Sequence, residues 1–551
     1  MLCRRGLAFC LVGLCLIGTG VRAASPQIDP QALSATVRVL AGDTMLGRAP
    51  GGPAEPAALN YIVDQFKAAG LEPAGDRDPQ GRRTWLQAVP LERFTLQAPV
   101  ALTAATRDGP LQLEQGRDIA ISTDAPVNTI HFGNAPLVFV GYGVFDPSRH
   151  WDDFKGADLH GKIAVVLVND PDFETDMGGL FEGRTMTYFG RWDYKYAELE
   201  RRGALGVLVV HEDAAATMRW ETILGFFPLP RTTVANAGDG KTLVEGWITH
   251  EAAAQLFQRS GRDYSAEKRR AASRAFAPFI LARVTLSGSI GVKREPILSH
   301  NAVGQVPGRT RPNETVVYSA HWDHMGVVQV DGRQRIYHGA QDNASGVADI
   351  IALARIFAQA PPPQRTVVFA AFTGEENALL GSKYYVAHPP FPLADTIADL
   401  NLDCLDIKGP TRDVSLWGHG HVGLEQDLAA IAQRAGRVLV VNPRFESGYY
   451  FRADHFAFAQ AGVPALTLGS GLNMLDGGTA AGEAFEKDYY DHRYHHPEDV
   501  WTPAMDFSGQ AADLELYYAL GRQMADSQER PGFAANSDYR AAQASLRSAK
   551  P

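Results

Sequence analysis

Between residues 301 and 500 the chain repeats one pattern, in which a short apolar run ends in an acidic or histidine-bearing turn before a segment of helical period follows. The strand-type runs are Glu314 to Ser319, Arg365 to Phe372, Asp399 to Leu402, Val438 to Val441 and Val463 to Leu468. Segments with helical spacing, Gly346 to Gln359, Leu380 to Ala387 and Leu424 to Ala435, fall between them. This alternation predicts an α/β fold with a mostly parallel central sheet and helices on both faces. Sites in such folds lie at the carboxyl ends of the strands, which is where these polar turns fall.

Five turns matter. They read Ser-Ala-His321-Trp-Asp323-His324, Gln-Asp342-Asn-Ala-Ser-Gly, Thr-Gly-Glu375-Glu376-Asn, Asn-Leu-Asp403 and Tyr494-His495-His496-Pro. Each alone has an ordinary structural explanation. Asp342 sits where a helix N-cap belongs, paired glutamates commonly lie on a solvated face, and His-Trp-Asp-His is a plausible exposed loop. Together they supply imidazoles and carboxylates for a pair of metal ions, with one carboxylate to spare as a base. His321 and Asp323 share a face if the strand persists, so Asp323 can orient the ring of a ligating histidine. His324 is an alternative ligand, and spacing does not choose between His495 and His496.

The chemistry that needs such a set is hydrolysis. A carboxylate with two oxygens, as at Asp342, can bridge two cations. Two Zn2+ ions about 3.5 to 4 Å apart lower the pKa of a shared water toward about 7, while one of two adjacent glutamates takes its proton. Cobalt or manganese would suit the same donors.

The rest of the chain frames that segment. Its 551 residues, 45% hydrophobic and 21% charged, suit two or three globular domains. The net charge of -10 is spread without basic runs, which excludes a nucleic-acid footprint. Residues 1–23 carry Arg4 and Arg5, an apolar stretch and Val21-Arg22-Ala23, the pattern of a cleaved signal peptide, so the chain is expected to be exported, periplasmic or secreted. Cleavage leaves Cys404 alone, hence no internal disulfide, and no later stretch reaches membrane-spanning length. Helical spacing is evident over Ala32 to Leu40 and Ala57 to Ala69, with Gly70 as a stop. Short alternating segments follow from Trp85 to about Val140, then buried-strand runs at Gly161 to Val168 and Gly206 to Val210 flank a helix at Tyr194 to Arg202. After Gln528 the chain is polar and lacks an apolar period, so a loose tail over 529–551 is expected.

The order His-x-Asp, Asp-Asn-x-Ser-Gly, Gly-Glu-Glu, Asn-x-Asp and Tyr-His-x-Pro-x-Asp resembles the M28 family of zinc aminopeptidases over about 300–500, and Gly42-Asp43 to Gly70-Leu71-Glu-Pro is similar to that family's opening helix. The resemblance implies the fold of a zinc-dependent exopeptidase and two Zn2+ ions. One is held by His321 and Asp403, the other by Glu376 and His495, with Asp342 bridging. It implies Glu375 as general base, Asp323 as the partner of a ligand histidine, Tyr494 as oxyanion donor and Arg452 as a residue near the substrate. Residues 131–285, with Gly190-Arg-Trp-Asp-Tyr-Lys-Tyr196, resemble an inserted β-rich protease-associated domain. The peptidase domain would then comprise 24–130 and 286–528. The loop Met325 to Gln341 is longer than in compact relatives and would cover the site. The function implied is removal of one residue from peptides with a free amino terminus. The alternatives on this scaffold are a carboxypeptidase or dipeptidase, a glutaminyl cyclase, or a receptor-like ectodomain without catalysis.

Overall fold

The computed structural model describes residues 27–175, 179–226, 230–235, 241–330, 332–418 and 420–548. The expected leader and cleavage site, residues 1–23, lie outside them. Among the described residues no helix is long and apolar enough to cross a membrane.

The expected central sheet is present. Arg311–His321, Arg365–Phe372, Thr396–Leu402 and Ala465–Ser470 form its parallel centre. The end of the long strand Phe279–Val306 pairs antiparallel on one side, while Asp413–Leu416 on the other runs antiparallel to Ala465–Ser470 and parallel to Val438–Val441. Arg365–Phe372 and Thr396–Leu402 are buried throughout, which is why they read as largely apolar runs. Alternate residues serve opposite faces. Val316, Tyr318, Ala320, Val367 and Phe369 join a core shared with helices Pro30–Leu40, Glu55–Ala69, Ser345–Gln359 and Ser508–Asp526, whereas Val317, Val368, Ala370 and Phe372 pack with Tyr385 and Phe458 on the other side.

The opening helices form where their spacing predicts. Asp29 caps the first by accepting the Gln31 N–H at 2.9 Å, with Pro30 in the first turn. Gly70 ends the second with φ +90°, a conformation that disfavours any side chain.

A second sheet is built from Thr129–Phe139, Ile163–Leu167, Gly206–His211 and Val244–Thr249, mutually parallel. Helix Trp192–Arg201 packs through Tyr196 and Leu199 on one face, and helix His250–Arg259 through Leu256 and Phe257 on the other. Within the first helix, fully buried Lys195 donates to the carbonyls of Tyr142, Asn169 (3.0 Å) and Phe189, tying three loops together. Ala101–Ala105, Leu111–Glu114 and Ile119–Ser122 also pair into this sheet, so it begins upstream of residue 131. Alternation reveals strands there but not the distant partners of Ala101–Ala105 and Ile119–Ser122, which lie more than a hundred residues away in Phe279–Val306 and Val244–Thr249. The sheets are joined by Leu86–Leu96 running antiparallel to the 28-residue strand Phe279–Val306, so the chain leaves and re-enters the first sheet side by side, with Leu96 opposite Val292.

The tail departs from its expectation of looseness. Phe533 and Tyr539 are buried in the main core, and Arg540–Ser548 is a helix. Two aromatics without a helical period anchor the segment, a signal that periodicity misses.

Tyr318 donates to the Tyr517 carbonyl at 2.7 Å, and a Cβ on Gly521 would lie 1.8 Å from its hydroxyl oxygen. Gly521→Ala is therefore expected to destabilise the protein by about 1 to 3 kcal/mol in denaturant unfolding, although helix propensity alone would stabilise it by about 1 kcal/mol.

Candidate metal centre

The strand ends of the parallel centre converge on one buried cluster of charge. His321 ends Arg311–His321, Glu375 and Glu376 follow Arg365–Phe372 through a turn at Gly374, and Asp403 follows Thr396–Leu402. Asp342 comes from the turn before helix Ser345–Gln359, where the Asp342–Asn343 peptide bond is cis. His495 arrives from the segment after helix Gly478–His492, with a left-handed φ of 55°. Cys404, beside Asp403, has φ 51°. Left-handed conformations at non-glycine residues cost free energy and persist where surrounding contacts fix them.

Asp342 is the hub. Its Oδ1 lies 3.2 Å from His321 Nε2 and its Oδ2 lies 3.1 Å from His495 Nε2, so the two carboxylate oxygens face two different imidazoles. On the first side, Asp403 Oδ1 is 3.3 Å from His321 Nε2. On the second, Glu376 Oε2 is 3.2 Å from His495 Nε2, and Glu376 Oε1 is 2.6 Å from His324 Nδ1. Donor atoms of His321, Asp342 and Asp403 lie within 4.8 Å of one another, as do those of His324, Asp342 and Glu376. His324 thus joins the second group beside His495, whereas His496 is exposed. Glu375 Oε2 approaches His321 Nε2 only to 3.8 Å.

These positions are held by local hydrogen bonds. Asp499 accepts backbone N–H bonds from Gln341 and Asp342 at 3.0 to 3.1 Å, fixing the loop that carries Asp342. Asn343 donates to the Leu402 carbonyl at 3.0 Å and accepts the Gly346 and Cys404 N–H groups, locking that loop to the strand end bearing Asp403. A Cβ on Gly346 would meet the Leu402 carbonyl at 2.5 Å, so the glycine of Asp-Asn-Ala-Ser-Gly permits this approach. Asp323 differs from its expected role. The ring Nδ1 of His321 donates to the Asp323 backbone carbonyl at 3.1 Å, while the carboxylate stands 3.9 Å from that nitrogen and accepts the Glu375 N–H at 3.2 Å. A turn after the strand rotates the side chain off the face that continued extension would have given it.

Fully buried Arg48 escapes sequence reasoning altogether. Its guanidinium donates to the carbonyls of Trp322 (2.8 Å), Leu40 and His338 (both 2.7 Å) and Gly339 (2.9 Å). It therefore clamps the His321 turn to the loop preceding Asp342. Burial lowers it to about 10, while Asp323, Asp499, Asp342 and Glu376 hold its charge in place. A lone Gly-Arg in a loop carries no local signal of this duty.

The electrostatics divide the acids. Burial opposes it, yet hydrogen bonds from His321 and His495 hold Asp342 well below the usual carboxylate range. Burial lifts Glu375 well above that range, His321 opposes, and Asp403 and Glu376 add to the rise. Glu375 has the environment of a proton acceptor and Asp342 that of a permanent anion. Tyr494 stacks on His495 with centroids 3.9 Å apart and lines the adjoining cavity, and burial keeps its phenol protonated. Arg452 lines the same cavity with its Nε buried and without a partner.

The donor set suits zinc, which takes imidazole and carboxylate together. Among the described residues, His324 Nε2 and Asp323 Oδ2 at the cluster are buried without a hydrogen-bond partner. A third acid trio, Asp124, Glu200 and Glu245, is different in kind: Lys241 Nζ sits 3.2 Å from both Asp124 and Glu200 and already supplies the cation.

Residues 301–518, which contain every residue of the cluster contributed by the strand ends, match the family model for peptidase family M28, and this segment is a domain of that family. A probable zinc metalloprotease of Pyricularia oryzae is 40% identical over 89 residues, 16% of this chain and 17% of that protein. A probable lipoprotein aminopeptidase of Mycobacterium tuberculosis, LpqL, is 29% identical over 175 residues, 28% of this chain and 34% of its own. The chain thus matches only a fraction of the length of these curated relatives. Among solved structures, an aminopeptidase from Aneurinibacillus sp. strain AM-1 shares the fold, with a TM-score of 0.51 and 20% identity over 92% of this chain and 96% of that one.

Arg48→Met leaves four carbonyls around the cluster without their donor, and denaturant unfolding is expected to lose at least about 3 kcal/mol of stability.

Proposed function

We propose that the chain is an exported dinuclear zinc aminopeptidase that hydrolyses the first peptide bond of substrates with a free amino terminus. The observation that carries this reading is Asp342, whose two oxygens face His321 and His495 at 3.2 and 3.1 Å. One carboxylate so placed suits two cations, with His321 and Asp403 completing one set and Glu376 and His495 the other. His324 braces Glu376 from the opposite oxygen.

Two zinc ions, when bound, supply Lewis acidity that polarises the scissile carbonyl and makes water acidic near neutral pH. The side chains do the rest. Glu375, raised by burial, accepts a proton from the attacking water and returns it to the departing amine. The bond from the Glu375 N–H to Asp323 fixes where that carboxylate stands. Tyr494, kept protonated, donates to the oxyanion that develops on the substrate carbonyl. The hairpin Gly326–Val330 and Arg333–Tyr337 follows the His321 turn, and Met325 to Gln329 line the cavity, so the long loop limits access on that side. The leader pattern of residues 1–23 supports export, and the residue content of the second unit is consistent with a protease-associated insert.

Release of the amino-terminal residue, as opposed to the carboxy-terminal one, is supported by the name of the mycobacterial relative. With aminoacyl-chromophore substrates, Glu375→Gln is expected to lower kcat by about 10² to 10⁴-fold while bound zinc, read by mass spectrometry, stays at the wild-type level. Undiminished kcat in that variant refutes the assignment of the base, and hydrolysis of amino-terminally blocked peptides refutes the direction.

A further inference from the structure

Next to the metal centre lies a cavity of about 670 Å³ between the two sheets, a volume suited to a short peptide. Glu375, Glu376, Tyr494 and His495 line it together with Arg191, Arg231, Lys383 and Arg452. A fifth cation, Arg93, donates to the Pro50 carbonyl at 3.1 Å, and the other four come from separate elements: Arg191 precedes helix Trp192–Arg201, Arg231 opens strand Arg231–Val234, Lys383 lies in helix Leu380–Ala387, and Arg452 follows the turn Tyr449–Phe451. Apart from the two glutamates of the metal centre, Asp193 is the one carboxylate lining the cavity among the described residues.

The charge of these four is unevenly matched within the protein: although burial opposes it, Glu245 and Asp124 raise Arg231, while Lys383 is lowered by burial and Arg452 has a buried nitrogen without a partner among the described residues. Arg191 Nε has Asp193 at 3.1 Å. Arg231 reaches Glu245 at 3.6 Å, and its Nε is buried without a hydrogen-bond partner. Arg452 Nε is likewise buried and unpartnered, its guanidinium resting 5.3 Å from the Tyr449 ring centroid. Burial lowers Lys383 from its ordinary value, and although Asp193 opposes this, the charges of Arg231 and Arg191 push the same way. Cations that repel one another in a partly desolvated cavity stabilise an anion that enters it.

We propose that Arg191, Arg231, Lys383 and Arg452 form a carboxylate-binding subsite, so that the enzyme selects short peptides presenting a carboxylate about one residue beyond the scissile bond. This rests on the peptidase reading of the metal centre. The carboxylate is either the free carboxy terminus of a di- or tripeptide or an acidic side chain after the scissile bond. Both present the same group, a planar anion that guanidinium donors can grip through two oxygens.

The test is titration calorimetry on the zinc-loaded Glu375→Gln protein. A dipeptide acid is compared with its amide, and amidated peptides with Glu or Gln in the second position are compared with each other. At least one acid is expected to bind about tenfold or more tightly than its neutral counterpart. A preference in the first comparison identifies the carboxy terminus as the source, and a preference in the second identifies the side chain. Lys383→Met and Arg452→Met, each added to that protein, are expected to shrink the ratio of acid to amide affinity at least about threefold, and raised salt should shrink it too. Equal binding of acids and neutral counterparts in both comparisons overturns the subsite even if the wild type cleaves peptides. A clear ratio with no cleavage of any peptide by the zinc-loaded wild type would leave the subsite standing and overturn the peptidase reading.

Discussion

Everything at the centre of this protein follows from burying several carboxylates in one place. Asp323, Asp342, Asp403 and Asp499 are buried, and the side chains of Glu375 and Glu376 are 10% and 9% exposed. Like charges so close in a medium of low dielectric cannot all stay ionised without cations among them. The chain supplies one permanent cation, Arg48, and the imidazoles of His321, His324 and His495. Against the opposing effect of burial, Glu375 and Asp403 push His321 well above its usual range, a measure of how strongly this cluster draws positive charge. Two divalent ions, as proposed, would meet that demand with the imidazole and carboxylate donors gathered here.

The fold determines why such a cluster can exist at all. A parallel sheet delivers several strand ends to one edge, and each strand is committed by its apolar run before the acid is reached. Loops then carry Asp342 and His495, and the side chains of Asp499, accepting backbone N–H groups, and of Asn343 and Arg48, donating to backbone carbonyls, fix the turns around Asp342. The second sheet is tied to the first by one continuous 28-residue strand, which runs from one sheet into the other.

Much of this was legible in the residues, and the parts that were not have physical reasons. The parallel centre, the opening helices and the stop at Gly70 follow from local period and glycine chemistry, and they form as that period predicts. His321, Glu375, Glu376 and Asp403 come together because residues at strand ends are placed by the strands themselves, whereas Asp342 and His495 arrive from segments beside helices. Long-range partnership could not be read. Strands 101–122 show their alternation but not which sheet receives them, Phe533 and Tyr539 anchor the tail without any period, and Arg48 serves carbonyls up to 291 residues distant. The Asp323 carboxylate turned toward the Glu375 backbone because the chain bends after His321, which a pattern of extended residues cannot foretell.

The bridging position of Asp342 is the claim on which the rest stands, and the metal content of the purified chain tests it most directly. Elemental analysis after zinc loading and desalting should give about two zinc ions per chain for the wild type, as a two-metal centre requires. It should give clearly fewer for Asp342→Asn, in which one bridging oxygen is replaced by an amide. Two ions retained in that variant, or a wild type that holds one or none and hydrolyses peptides undiminished in the presence of a chelator, would contradict the account.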